Sequence, residues 1–365
     1  MRKPRLGVLF LACLLLSGFT PCLNEIARTP NQGLQNFSAA KRDSERRAKA
    51  LQRECDDLKT RSITFEEEHA LGGAVSVNWV SQGEGLTDAP DAQALHEQLN
   101  RIGKNLAAQS SRPHLPWTFG VLKSQGINAV SGPGGFVFVS EGLLARLDNE
   151  AQLAGVLAHE IAHITGKHAM NEYQQYLVDQ CELSVKGEFL RVEREQLEAG
   201  VADQAQRIQE RLEGHLDSLG HTLPIAGEAF RQLSANVNRL DLDKASLELL
   251  HTVTTGVVKR LTEKGFRAED EYDADRQALE LMTAAGYAPG EYISFLGKLP
   301  DQGGLSTAHP SKVERQARLR KHLGKLRRLD ALQEYATPVS FANLQAVPLR
   351  DTLQARRKPS PTPSP

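Results

Sequence analysis

The segment from Glu150 to Thr165 constrains this chain most. Glu150 to Ala158 are strong helix formers with apolar residues at helical spacing. Asp148 and Asn149 are candidate N-caps ahead of it, and Gly166 can loosen or end it. Within this helix His159-Glu160-Ile161-Ala162-His163 places two histidines four residues apart. Residues i and i+4 share one helical face, so both imidazoles can reach one metal ion. Glu160 is turned from that pair by about 100°, close enough to act on a water at the metal. Histidines that bind and a glutamate that serves as base form the zinc-hydrolase pattern. The plainer alternative is an amphipathic helix with two core-facing histidines.

A catalytic zinc site takes three protein ligands and keeps one position open. The best source of the third is Glu269 to Leu281, which reads as a helix with Tyr272, Ala274, Ala278, Leu279 and Leu281 as its apolar positions. Glu271 and Asp275 are four apart on one face, where like charges repel unless a cation separates them. A zinc ion ligated by Glu271, with Asp275 bonded to a ligating imidazole, resolves the repulsion. The alternative is a solvated acidic helix with Arg276 as a surface partner.

Further segments fall in an ordered set. They are Arg101 to Ser110, then Asn128-Ala129-Val130-Ser131-Gly132-Pro133-Gly134-Gly135 with Phe136 to Ser140, and Glu141-Gly142-Leu143-Leu144 running into the histidine helix. Glu271 to Arg276, Gly286-Tyr287-Ala288-Pro289, His309-Pro310 and Glu314-Arg315 complete it. On these residues the chain resembles the M48 family of zinc metallopeptidases, its exported bacterial members in particular, over roughly Glu66 to Arg318. The resemblance implies that His159, His163 and Glu271 bind one zinc ion per chain. It makes Glu160 the base and proton shuttle and has Asp275 orient His159. It places His309 near the metal, where the matching histidine of some relatives closes the open position. Arg315 then positions the substrate carbonyl or braces that loop. Thr307-Ala308-His309 departs from the family, which usually has Thr directly before this His.

Gly132-Pro133-Gly134-Gly135 is a strong turn signal, and Phe136 to Val139 reads as a strand. A hairpin beside the metal helix can offer an open edge to an extended peptide. Asn128, Ala129, Gly134 and Gly135 are the candidate substrate-binding residues, unless the edge is covered and the hairpin purely structural. The sequence shows no Gly-x-Ser-x-Gly elbow and no phosphate-binding G-x-x-x-x-G-K-[ST] loop.

Met1-Arg2-Lys3-Pro4-Arg5, an apolar run from Leu6 to Leu16 and Ser17-Gly18 describe a secretory signal over 1–21. A membrane-spanning helix needs about 20 apolar residues. No later segment is apolar for that long, so no transmembrane helix is expected in the mature chain. Cys22 is a candidate for lipidation, against which Pro21 stands. Cys55 and Cys181 are then left free to pair or not in an oxidising compartment. A formal net charge of −1 gives no electrostatic case for nucleic acid.

The expected organisation is a signal over 1–21, an N-terminal linker and helix over 22–60, an M48-like domain over 61–332, and a C-terminal extension over 333–365 ending in a disordered Pro/Ser tail. Residues 170–267, rich in Gln, Glu, Leu and Ala, read as a helical insertion between the metal-ligand segments. It either covers the cleft or packs beside the core. His215, His221 and His251 lack a partnered spacing, and His168 falls five after His163, off the metal face; all four read as surface or satisfied core groups. The fold class is α+β, predominantly α, of zincin type, with a small mixed sheet beside the metal helix. Family and compartment together imply a zinc endopeptidase of the periplasm or outer-membrane periphery. Its substrates would be misfolded or unassembled envelope polypeptides, and envelope assembly or quality-control proteins its partners. The rival is a chaperone-like binding module whose zinc site is either kept closed by His309 or inactive.

Overall fold

A computed structural model describes residues 42–200, 252–261, 265–300, 310–331, 344–349 and 351–354. Residues 201–251 of the insertion, the signal, the His309 loop and the Pro/Ser tail lie outside the described residues. In chain order the helices and strands are α1 (42–60), α2 (Phe65–Gln82), α3 (Ala92–Ala108), β1 (Thr118–Leu122), β2 (Ala129–Gly132) and β3 (Phe136–Ser140). They continue with α4 (Glu141–Leu144), α5 (Glu150–Thr165), α6 (His168–Gly200), α7 (252–261), α8 (Ala268–Ala284), α9 (Gly290–Lys298), α10 (Lys312–Ala331) and α11 (Asp351–Gln354). The fold is α+β and mostly helical, with one small mixed sheet.

Two compact units are present. One joins residues 42–60 to those from Leu177 on in α6; the other holds 61–176 and the described residues from 252 on.

The second unit is built around α5. The Asn149 side chain caps it by accepting from the Gln152 N–H at 2.9 Å. Every residue from Glu150 to Ile164 is buried, as expected of a helix that is apolar nearly all round. It packs most extensively on α8, then on α9 and α3. Leu95, Leu99, Ile102 and Leu106 form the buried face of α3, at helical spacing.

The sheet has the order β1-β3-β2, so β2 is an edge strand. β1 runs parallel to β3 with Gly120 opposite Phe138, and β2 antiparallel with Val130 opposite Phe138. Phe119, Val121, Val137 and Val139 carry the sheet into the core. The turn between β2 and β3 puts Gly134 at φ 78° and Gly135 at φ 108°, where a side chain would be strained. The Gly134 N–H is donated to Glu68 of α2 at 3.2 Å. Glu68 also accepts two bonds from Arg112, at 2.7 and 2.8 Å, so one carboxylate ties α2 to the hairpin turn and to the loop before β1.

Part of the C-terminal extension is built into this unit. The Val347 carbonyl accepts from the Glu150 N–H at 2.7 Å, and the Gln345 carbonyl from the Ala288 N–H at 3.1 Å. Leu349 and Leu353 join the core cluster. The segment thus meets a donor at the first turn of α5 that has no partner within the helix.

In the first unit Cys55 of α1 and Cys181 of α6 form a disulfide across 126 residues of sequence. Ser44 donates to the Glu188 carbonyl at 3.1 Å, and Lys59 pairs with Glu182 at 3.1 Å.

Candidate metal centre

The packing of α8 on α5 brings three side chains to one point. His159 and His163 face each other through their Nε2 atoms at 3.1 Å. Glu271, in the first turn of α8, lies with Oε2 at 3.6 Å from His159 Nε2 and Oε1 at 3.5 Å from His163 Nε2. All three are buried, and Glu271 is 0% exposed. Among the described residues they are the one His/Cys/Asp/Glu cluster able to hold a metal ion.

The donor set fits a divalent cation. Metal–ligand bonds of about 2.0–2.1 Å in a tetrahedron set ligand atoms about 3.3 Å apart, close to the observed spacing. Two imidazoles and one carboxylate are also the borderline donors that zinc takes. A charged carboxylate this deep needs compensating charge; Arg315 Nη1 lies 4.0 Å from Glu271 Oε2, and a cation among the three would supply it directly.

Asp275, one turn beyond Glu271, lies with Oδ1 at 3.1 Å from His159 Nδ1. Three further bonds hold it. Arg315 of α10 donates from Nε at 2.8 Å and from Nη2 at 2.6 Å, and Tyr292 of α9 donates from its hydroxyl at 2.8 Å. The Arg315 Nη2 also donates to the Tyr292 oxygen at 3.0 Å. Burial alone would raise the Asp275 pKa; the charge and hydrogen bonds of Arg315 outweigh it and hold the carboxyl well below its usual range. Burial alone would lower the His159 pKa, but the Asp275 and Glu271 carboxylates push it up to about 9. Burial raises Tyr292 well above the usual phenol value, so it remains a donor.

The remaining sequence-predicted residues are distributed as follows. Glu160 follows His159 on α5 and is buried with it. Arg315 is 5% exposed, with its guanidinium bonded to Asp275, the carboxylate beside His159. His309 lies outside the described residues. Asn128 and Ala129 enter the edge strand β2, whereas Gly134 and Gly135 are taken up by the turn.

Two residues escaped the sequence reading. Tyr292 has no local signal beyond an apolar position in a short amphipathic helix. His168 is a satisfied core group, one of its two expected readings, but its partner, His163 at 2.9 Å between Nδ1 atoms, was not foreseen.

A helical fold with a buried His-His-Glu cluster beside a small sheet defines a metallopeptidase of zincin type. Residues 93–323 match the profile of Peptidase family M48, and the chain belongs to that family. Among curated proteins it is 28% identical over 255 residues to a beta-barrel assembly-enhancing protease of Yersinia pestis, covering 69% of this chain and 41% of that protein. It is 25% identical over 234 residues to the protein of the same name from Escherichia coli (strain K12), covering 64% and 38%. A third relative is the mitochondrial metalloendopeptidase OMA1 of Schizosaccharomyces pombe, 41% identical over 71 residues, covering 20% and 21%. The chain spans less than half the length of each of these relatives.

Proposed function

We propose that the chain is an exported zinc endopeptidase that hydrolyses peptide bonds in misfolded or unassembled cell-envelope proteins. The observation that carries this reading is the convergence of His159, His163 and Glu271, with Asp275 behind His159. These three residues would hold the ion. Zinc, when bound, supplies a Lewis acid that polarises a peptide carbonyl and lowers the pKa of a water towards about 7. Asp275, with Oδ1 3.1 Å from His159 Nδ1, favours the tautomer that carries its proton there and leaves Nε2 a lone pair. Glu160 takes the proton of the attacking water and delivers it to the leaving amine.

Substrate capture is assigned to β2. It is an edge strand, and an extended peptide can add beside it through backbone hydrogen bonds that tolerate many sequences. Asn128 lies at its entry, and its side-chain nitrogen has no hydrogen-bond partner among the described residues. Export is supported by the basic start and apolar run of residues 1–21, and by the Cys55–Cys181 disulfide, which suits an oxidising compartment. Envelope substrates are supported by the names of the bacterial relatives. No described helix is long and apolar enough to cross a membrane.

The test is Glu160→Gln in the purified protein with casein as an unstructured substrate. The expected result is a fall in kcat/KM of about 10²–10⁴-fold with zinc content unchanged. Cleavage that persists at the wild-type rate removes Glu160 from this role.

A further inference from the structure

We infer that His168 is a positioning residue of the metal centre, the hydrogen-bond acceptor that fixes the tautomer and ring orientation of His163. Gly166, on this inference, is glycine because the His168 ring fills the space of its side chain. The inference rests on the metal reading above.

On an unbroken helix His168 would point away from the face that carries His163, since five residues turn through about 500°. The chain does not continue unbroken. α5 stops at Thr165, Lys167 adopts a left-handed φ of 57°, and α6 starts at His168. This break swings the ring back under the end of α5. The two Nδ1 atoms meet at 2.9 Å with the rings nearly perpendicular, at 80°. Phe266 stacks on His163 at 4.1 Å between centroids and 20° between planes, so the ring is held by its face as well as its edge.

Only one of two Nδ1 atoms in such a contact can carry the proton. With His163 Nε2 at the cation, its Nδ1 is the protonated nitrogen. His168 Nδ1 is then the acceptor, and its own proton sits on Nε2. That nitrogen lies 3.9 Å from Asp270 Oδ1, and Arg267 holds Asp270 with two bonds of 2.8 Å. Metal-bound histidines are commonly backed by a carboxylate or a backbone carbonyl. Here one is backed directly by Asp275 and the other by a second imidazole. The space is as specific as the contact. A Cβ built on Gly166 would fall 2.5 Å from His168 Nε2 and 3.0 Å from two ring carbons.

The experiment measures Zn²⁺ affinity of the full chain by chelator competition, together with the visible absorption of the Co²⁺-loaded protein. Three variants are compared with wild type: His168→Leu, His168→Asn and Gly166→Ala. His168→Leu should weaken Zn²⁺ binding about 10–100-fold and shift the Co²⁺ bands. His168→Asn, whose amide oxygen can stand where Nδ1 stood, should recover most of that loss, which a role in packing alone would not produce. Gly166→Ala should weaken binding while leaving every ligand in place. Zn²⁺ affinity unchanged in His168→Leu, or as poor in His168→Asn as in His168→Leu, overturns the inference. Should His168→Leu not fold, Gly166→Ala decides: a loss of affinity supports the inference and wild-type affinity overturns it. A wild-type chain that binds no Zn²⁺ removes the metal reading and this inference together. Tight binding by wild type and His168→Leu alike removes this inference alone.

Discussion

The α5–α8 pair and the α1–α6 pair are each two helices held together, but by different means. Between α5 and α8 the contact is packing of buried side chains. The polar atoms inside it are aimed at one another over 3.1–3.6 Å. Between α1 and α6 a covalent bond does the holding, and ion pairs such as Lys59–Glu182 lie on half-exposed side chains. A metal site needs donor atoms fixed to within about 0.5 Å, which comes from locked rotamers and supporting hydrogen bonds. A crosslink fixes the distance between two backbones and leaves the side chains around it free to move. The difference teaches that the disulfide belongs to the architecture of the chain and the Asp275–Arg315–Tyr292 network to its chemistry.

The comparison can be broken most forcefully at Arg315. Arg315→Ala removes one partner of a buried ion pair and leaves Asp275 beside His159 and Glu271. We expect a loss of about 3–5 kcal/mol in unfolding free energy, with zinc affinity falling in parallel. A variant as stable as wild type would show that α8 is held by apolar packing alone.

Cys55→Ser tests the other region. Closing 126 residues of sequence restricts the unfolded chain, and its loss should lower stability by about 2–4 kcal/mol. Zinc affinity should not change. A drop in zinc affinity on reduction of the disulfide would show that the two regions are not independent.

The smallest effect is a pH dependence confined to the metal site. In the metal-free protein His159 is raised to about 9 by the Asp275 and Glu271 carboxylates, against the effect of burial. A raised imidazole contributes its full stability below the unfolded value of about 6.5. It loses that contribution as pH rises through about 9. The Tm of the metal-free protein should therefore fall across this window. Zinc affinity should rise across it, because the proton on His159 must leave before the nitrogen can ligate. A flat metal-free Tm between these pH values would remove the Asp275 and Glu271 contribution.

How much of this was legible in the sequence follows from the range of each interaction. His159 and His163 are one helical turn apart, so their shared face could be read from spacing alone. Glu271 and Asp275 form the same kind of pair, whose mutual repulsion made them candidates for a cation, but their tie to α5 crosses more than a hundred residues and family resemblance was needed to complete it. Arg315 stands in a charged helix among Lys312, Glu314 and Arg318, where nothing local separates an inward arginine from its solvated neighbours. The contact of His168 with His163 was not legible, for a definite reason. Counting five residues past His163 assumes an unbroken helix, and Gly166-Lys167 breaks it. Gly166 was visible as a stop; the rotation that follows a stop was not. The segment around Val347 supplies a backbone acceptor to α5 through main-chain atoms, which leave no pattern of side chains to read.

The central claim is that His159, His163 and Glu271 form one zinc site. Zinc analysis of the purified chain beside Glu271→Ala tests it most directly. We expect one zinc per wild-type chain and its loss from a Glu271→Ala chain that remains folded. Zinc held equally by both proteins, or by neither, would contradict it.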